Sequence, residues 1–122
     1  MNDYFSIENK TIEGLTGRFA VRLNPACEVY KGHFPDEPVS PGVCNIAMLL
    51  SCAEMVIGFP LRATKINRCR LTTLITPLSH AELELDIDLK EKEPERWVLT
   101  ARIGKGENDY LTLKAEVIRD SE

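Results

Sequence analysis

The chain has 122 residues, 43% of them hydrophobic and 28% charged, a length that predicts one domain spanning 1–122 with a core of its own. Its formal net charge of -4 argues against nucleic acid as a partner, because a phosphate-binding footprint needs a basic surplus. The four cysteines, Cys27, Cys44, Cys52 and Cys69, include no Cys-x-x-Cys pair. They read as reduced, buried thiols rather than as a disulfide framework or a zinc site, and no metal or other cofactor is expected.

The opening MNDYFSIENK carries an acid and no apolar run of signal-peptide type. The longest apolar run, Val43 to Ile57, is too short for a bilayer and contains Glu54. A cytoplasmic protein without membrane contact is the expectation. Phe19, Val21 and Leu23 alternate with Arg18, Ala20 and Arg22, which predicts an early strand. The segment KGHFPDEPVSPGV at 31–43 is too broken for a helix and too rich in proline for a central strand. Directly after it, GVCNIAMLLSCAEMVI predicts a helix over 42–57, closed by Gly58 and Pro60. Its polar residues Asn45, Ser51 and Glu54 spread over half the helical wheel, so it is expected to be buried nearly all round.

Residues 66–75 predict the next strand. In AELELDIDLK the odd positions 81–89 are apolar and the even ones charged, the period of a half-buried strand. A turn at Pro94 leads to a second alternating run at 97–103, and GKGEND leads to a third at 111–117. Three strands with short turns predict an antiparallel meander. The fold class expected is α+β: a curved antiparallel sheet wrapped around one long central helix.

That layout, with the stiff loop before the helix, resembles the hotdog fold. Gly32, His33, Phe34, Pro35, Pro38, Pro41, Gly42 and Val43 are similar to the G-H-F-P-x-x-P-x-x-P-G-V signature of the 3-hydroxyacyl-acyl carrier protein dehydratases of FabA/FabZ type. INRCRLTTLITPLSHAELEL, at 66–85, more weakly resembles that family's basic strand and proline turn. The resemblance spans roughly residues 15–118 and implies elimination of water from a 3-hydroxyacyl thioester, giving a 2-enoyl thioester in fatty-acid or polyene-type biosynthesis. It makes His33 the base, oriented by the backbone carbonyl of Val39, with the thioester carbonyl bound at the Gly42 N–H beside Val43. Imidazole suits the base role because its ordinary pKa of about 6.5 lies near neutrality, and a helix N-terminus offers N–H groups without intrahelical partners.

The resemblance also implies a Glu or Asp fourteen residues after the histidine. That position is Ala47, and Ser51 stands where a glutamine often follows. The family's N-terminal Pro-His-Arg segment has no counterpart. Asp36 and Glu37 in the loop read as solvated, though either is a conceivable acid, and two helix residues are candidates for a substitute acid or polar group. Glu54 lies on nearly the same helix face as Ala47 but about 10.5 Å further along, and its bland reading is an Arg pair or solvent contact at the helix end. Asn45 points about 160° away from Ala47. Cys44, near a helix N-terminus, is a thiol whose pKa such a position can depress, set against a simple apolar filler. His80 reads as a surface turn residue, and Trp97 as core or dimer packing.

A dimer or higher homo-oligomer with joined sheets is implied, each site pairing His33 of one chain with the helix of the other; a heterodimer with a homologue fits the same scheme. Arg62, Lys65, Arg68 and Arg70 form a basic cluster that would receive an acidic acyl carrier protein, or would be ordinary solvated charge. Three functions remain open: a dehydratase with an unusual acid, a catalytically incomplete subunit that pairs with an active homologue or binds carrier protein, and a hotdog thioesterase.

Overall fold

The computed structural model describes residues 4–30 and 40–120. Six strands and one α-helix follow in the order β1 (Phe5–Glu13), β2 (Thr16–Leu23), α1 (Gly42–Ile57), β3 (Leu61–Leu71), β4 (Glu82–Glu93), β5 (Arg96–Lys105) and β6 (Asn108–Arg119), with a 3₁₀ turn at Glu28–Tyr30. The sheet runs β1-β2-β4-β5-β6-β3, every neighbouring pair antiparallel.

The period-two runs decide the centre of this sheet. Leu85 stands opposite Ile103, which stands opposite Leu111; one step along, Ile87, Ala101 and Leu113 are aligned in the same way. All six are buried. In an antiparallel ladder such facing pairs are the unit of stabilisation. The even positions emerge on the other face, where Arg18, Asp86 and Arg102 stand side by side across β2, β4 and β5.

Helix α1 lies on the apolar face and packs chiefly on β4 and β2. It is held by Cys44, Met48, Leu49, Cys52, Ala53 and Val56. Gly58 ends it in the left-handed region, φ 93°, and sends its N–H back to the Glu54 carbonyl, a geometry that glycine adopts without Cβ strain. Gly17 is small for another reason: a Cβ there would lie 2.6 Å from the Val56 side chain, where β2 passes the end of the helix.

Three expectations change, and one strand is added. The helix is not long: its 16 residues span about 24 Å. Nor is it covered all round, since Val43 is 74% and Met55 43% exposed; one chain supplies a sheet on one side only. Strand β1 carries few apolar residues because it pairs on a single side at the sheet edge, so alternation does not reveal it. The strand expected at 66–75 starts earlier, at Leu61, and gives way after Leu71 to turns that anchor Thr72 on Tyr110. Among the described residues no helix is long and apolar enough to cross a membrane.

Candidate active site

His33 and Val39, with Phe34, Asp36 and Glu37, lie outside the described residues. What the structure places is the frame around them: Tyr30 at one end, and Ser40 leading into the helix at the other.

The helix begins at an N-cap Pro41 in extended conformation, φ -63° and ψ 143°. Proline has no side chain that can accept from the first-turn N–H groups, and no acid stands in that turn. The positive end of the helix dipole therefore meets no compensating carboxylate of its own first turn. Gly42 is exposed, and a Cβ built on it would meet no described atom within 4 Å. Packing among the described residues thus gives no reason for glycine here.

One helix stripe leads away from this end. Residues 43, 47, 50, 51 and 54 fall within about 100° of one another at 100° per residue. Val43 is open, and Ala47, Leu50, Ser51 and Glu54 are partly covered. Apart from the Ser51 hydroxyl, the stripe is apolar until Glu54. That carboxylate is already engaged: its Oε2 accepts the Leu61 N–H at 2.8 Å, tying the helix to the start of β3. Glu54 thus neither pairs with an arginine in the contacts seen nor ends in free solvent. Asn45 turns the other way, into the core. It is 1% exposed, and its Oδ1 accepts the Tyr4 hydroxyl at 2.7 Å.

Cys44 is buried, and burial pushes its thiol up rather than down. The thiolate that a nucleophile requires is disfavoured there, despite the helix terminus. Cys69 departs from the expectation of buried thiols, for it is exposed on β3. His80 is less superficial than its turn suggests. Its Nδ1 accepts the Thr76 N–H at 3.2 Å, and its ring meets Tyr110 edge-on at 4.8 Å, the signs of a satisfied structural histidine. Trp97 is buried, with Phe59 against it at 5.5 Å between ring centres. Among the described residues, no group of three or more His, Cys, Asp and Glu side chains is placed to hold a metal ion.

Strand β3 carries the basic cluster, and its register decides how the cluster points. Two irregularities, between Ala63 and Lys65 and between Ile66 and Arg68, shift its pairing with β6. Strict alternation would send Lys65 to the face opposite Arg62. With the shifts, Arg62, Lys65, Arg68 and Arg70 stand beside Ile118, Glu116, Lys114 and Thr112, the outward positions of β6. Ala63, Ile66, Cys69 and Leu71 stand beside the inward Val117, Ala115, Leu113 and Leu111. All eight of these β3 residues are exposed. The edge strand therefore shows cations on its outer face and an uncovered apolar row on its inner face. Elsewhere on the outer face, a groove of about 390 Å³ lies between Arg68, Asp86, Thr100, Arg102 and Lys114. Arg102 there is ion-paired to Asp86 and Asp109, and Ile87, Ala101 and Leu113 also line the groove.

Reading the sequence alone misses Tyr4, Tyr30 and Ser40. Tyr30 and Ser40 share a hydrogen bond of 2.9 Å between their hydroxyls, and Tyr4 stacks on Tyr30 with ring centres 6.0 Å apart. No local pattern marks them, because their partners lie up to 41 positions away in the chain.

An antiparallel six-stranded sheet packed on one helix is the architecture of a hotdog-type protein. Comparison with known families narrows this. Residues 9–109 match the model of the ApeI-like family, described as ApeI dehydratase, and the chain belongs to that family. Among solved structures, the dehydratase heterocomplex ApeI:P from Xenorhabdus doucetiae is similar at TM-score 0.75 and 18% identity, covering 93% of this chain and 97% of that one. An uncharacterized protein from Erwinia carotovora subsp. atroseptica matches at TM-score 0.71 and 17% identity, over 97% and 98% of the two chains. One from Pyrococcus horikoshii matches at 0.71 and 10%, over 98% and 85%. At these identities the likeness is one of fold. No curated protein matches the sequence.

Proposed function

We propose that the chain acts in dehydration of 3-hydroxyacyl thioesters, contributing the base His33 and the carbonyl-binding N–H of Gly42 to a site whose acid comes from another chain. The observation that carries this reading is the helix stripe. It offers an open N-terminus at Gly42, Ala47 where the FabA/FabZ-type signature implies the acid, and no carboxylate before the engaged Glu54. His33 removes the proton at C2, the Gly42 N–H stabilises charge developing on the thioester oxygen, and the C2–C3 double bond forms. The C3 hydroxyl leaves as water with a proton from the partner's acid.

A homodimer would place Ala47 in both sites. A heterodimer with an acid-bearing homologue completes one of them, and an ApeI:P heterocomplex is known among the structural relatives. The uncovered apolar row of β3 and the exposed Val43 and Met55 support an assembly of this kind, since edges and apolar faces need cover. The outer cations Arg62, Lys65, Arg68 and Arg70 suit an acidic acyl carrier protein, which a local positive field steers even when net charge is negative.

The test is turnover of a 3-hydroxyacyl-carrier protein to its 2-enoyl product by wild type, His33→Ala and Ala47→Glu. Silence from wild type alone, with activity in Ala47→Glu, is the expected result. Activity of wild type alone that survives His33→Ala overturns the reading.

A further inference from the structure

Only two buried polar residues occur among those described, Ser40 and Asn45. They lie two positions before and three positions after Gly42. Both are held by tyrosines from outside the helix. Ser40 meets the Tyr30 hydroxyl at 2.9 Å, and its backbone N–H goes to the Ile75 carbonyl at 2.7 Å. Asn45 accepts from Tyr4 at 2.7 Å, and its backbone N–H goes to the Pro41 carbonyl at 3.1 Å. Tyr4 stacks on Tyr30 with ring centres 6.0 Å apart, so the two pairs form one network. Burial raises the pKa of both tyrosines, which keeps both hydroxyls protonated through the neutral range.

Elsewhere the interior is apolar, and an apolar set would satisfy packing here as well. A fully bonded polar network adds direction: it fixes side chains and backbone in one arrangement where van der Waals contact tolerates several. With proline as the cap, the helix start also lacks the side-chain acceptor that ordinarily locks a first turn. The network supplies that constraint from the sides.

We propose that Tyr4, Tyr30, Ser40 and Asn45 are positioning residues that hold the start of helix α1, and with it the Gly42 N–H, in the orientation that receives the thioester carbonyl. This rests on the reading of Gly42 under Proposed function. The order already present before substrate arrives is what makes a hydrogen-bond donor effective in the transition state. Tyr30 and Ser40 also fix the two chain ends that flank positions 31–39.

Tyr30→Phe and Ser40→Ala each delete one hydroxyl and keep the fold's apolar contacts. Two measurements on the full-length protein separate the possibilities. The first is backbone ¹⁵N relaxation in the absence of ligand. The Gly42 and Val43 amides are expected to fall from a rigid order parameter of about 0.85 toward about 0.6, while amides of β4–β6 stay rigid. The second is turnover of 3-hydroxyoctanoyl-carrier protein, with an acid-bearing partner or in an Ala47→Glu background. There kcat is expected to fall about 10- to 100-fold with KM nearly constant, and the double variant is expected to be no worse than the poorer single one. Unchanged order at Gly42 in both variants overturns the proposal, as does a kcat loss that only tracks the folded fraction. If neither the Ala47→Glu protein nor wild type with an acid-bearing partner turns over substrate, the dehydratase reading falls and the relaxation data alone decide the positioning role.

Discussion

At the residue scale, the Asn45 and Glu54 side chains of α1 are occupied, and this determines what each can do. Removing the Tyr4 hydroxyl leaves the buried Asn45 Oδ1 without its donor. Tyr4→Phe is expected to lower stability by about 1–3 kcal/mol in urea unfolding, and pairing it with Asn45→Leu to recover part of that loss, because no polar atom is then stranded. Glu54 is held by the Leu61 N–H at a part-buried site. Glu54→Ala is expected to cost about 1–3 kcal/mol. The same variant in the Ala47→Glu background is expected to keep its turnover per folded molecule, which separates a structural carboxylate from a catalytic one.

Individual strands meet through charged ladders and turns. Asp86 on β4 sits between Arg18 on β2 and Arg102 on β5. Burial acts to raise its pKa, but hydrogen bonds and charge from the two arginines outweigh it and hold the carboxyl below its ordinary range. A depressed folded-state pKa stabilises above the unfolded value, about 3.9, and that contribution is lost as pH falls through the folded value. Wild type is therefore expected to exceed Asp86→Asn in stability near pH 7, with the gap closing progressively below about pH 4. Thermal melts of both proteins across this range test the sign. At the β4–β5 turn, Glu95 adopts φ 63°, strained for any residue with a Cβ. Glu95→Gly is expected to raise stability by about 0.5–1 kcal/mol, the relief of strain exceeding the added freedom of the unfolded chain.

For the whole molecule, the two faces of β3 make different demands. The inner row, Ala63, Ile66, Cys69 and Leu71, extends past the cover that α1 gives. Ile66→Asp is expected to weaken assembly in sedimentation while leaving the single-chain fold intact, since Ile66 is 48% exposed there. The outer row is a field rather than a set of contacts. Lys65→Glu with Arg68→Glu is expected to weaken carrier-protein binding about tenfold or more at low salt, with the difference shrinking as ionic strength rises.

Much of the architecture was legible because periodicity is local. The alternation at 81–89, 97–103 and 111–117 determined three strands and their buried faces, and the apolar run closed by Gly58 determined the helix at 42–57. The signature at 32–43 pointed to the dehydratase class that the family match to 9–109 supports. Edge strand β1 stayed hidden because a strand paired on one side need not bury both faces or carry a regular apolar row. Tertiary structure alone decided which partners the polar residues take: Glu54 to a backbone N–H, Asn45 to Tyr4, Ser40 to Tyr30. It alone also decided that four cations share one face of β3, since a register shift depends on the neighbouring strand. Spacing along a chain sets the phase of a helix or a strand, whereas a hydrogen-bond partner or a bulge is chosen by whatever the fold brings alongside.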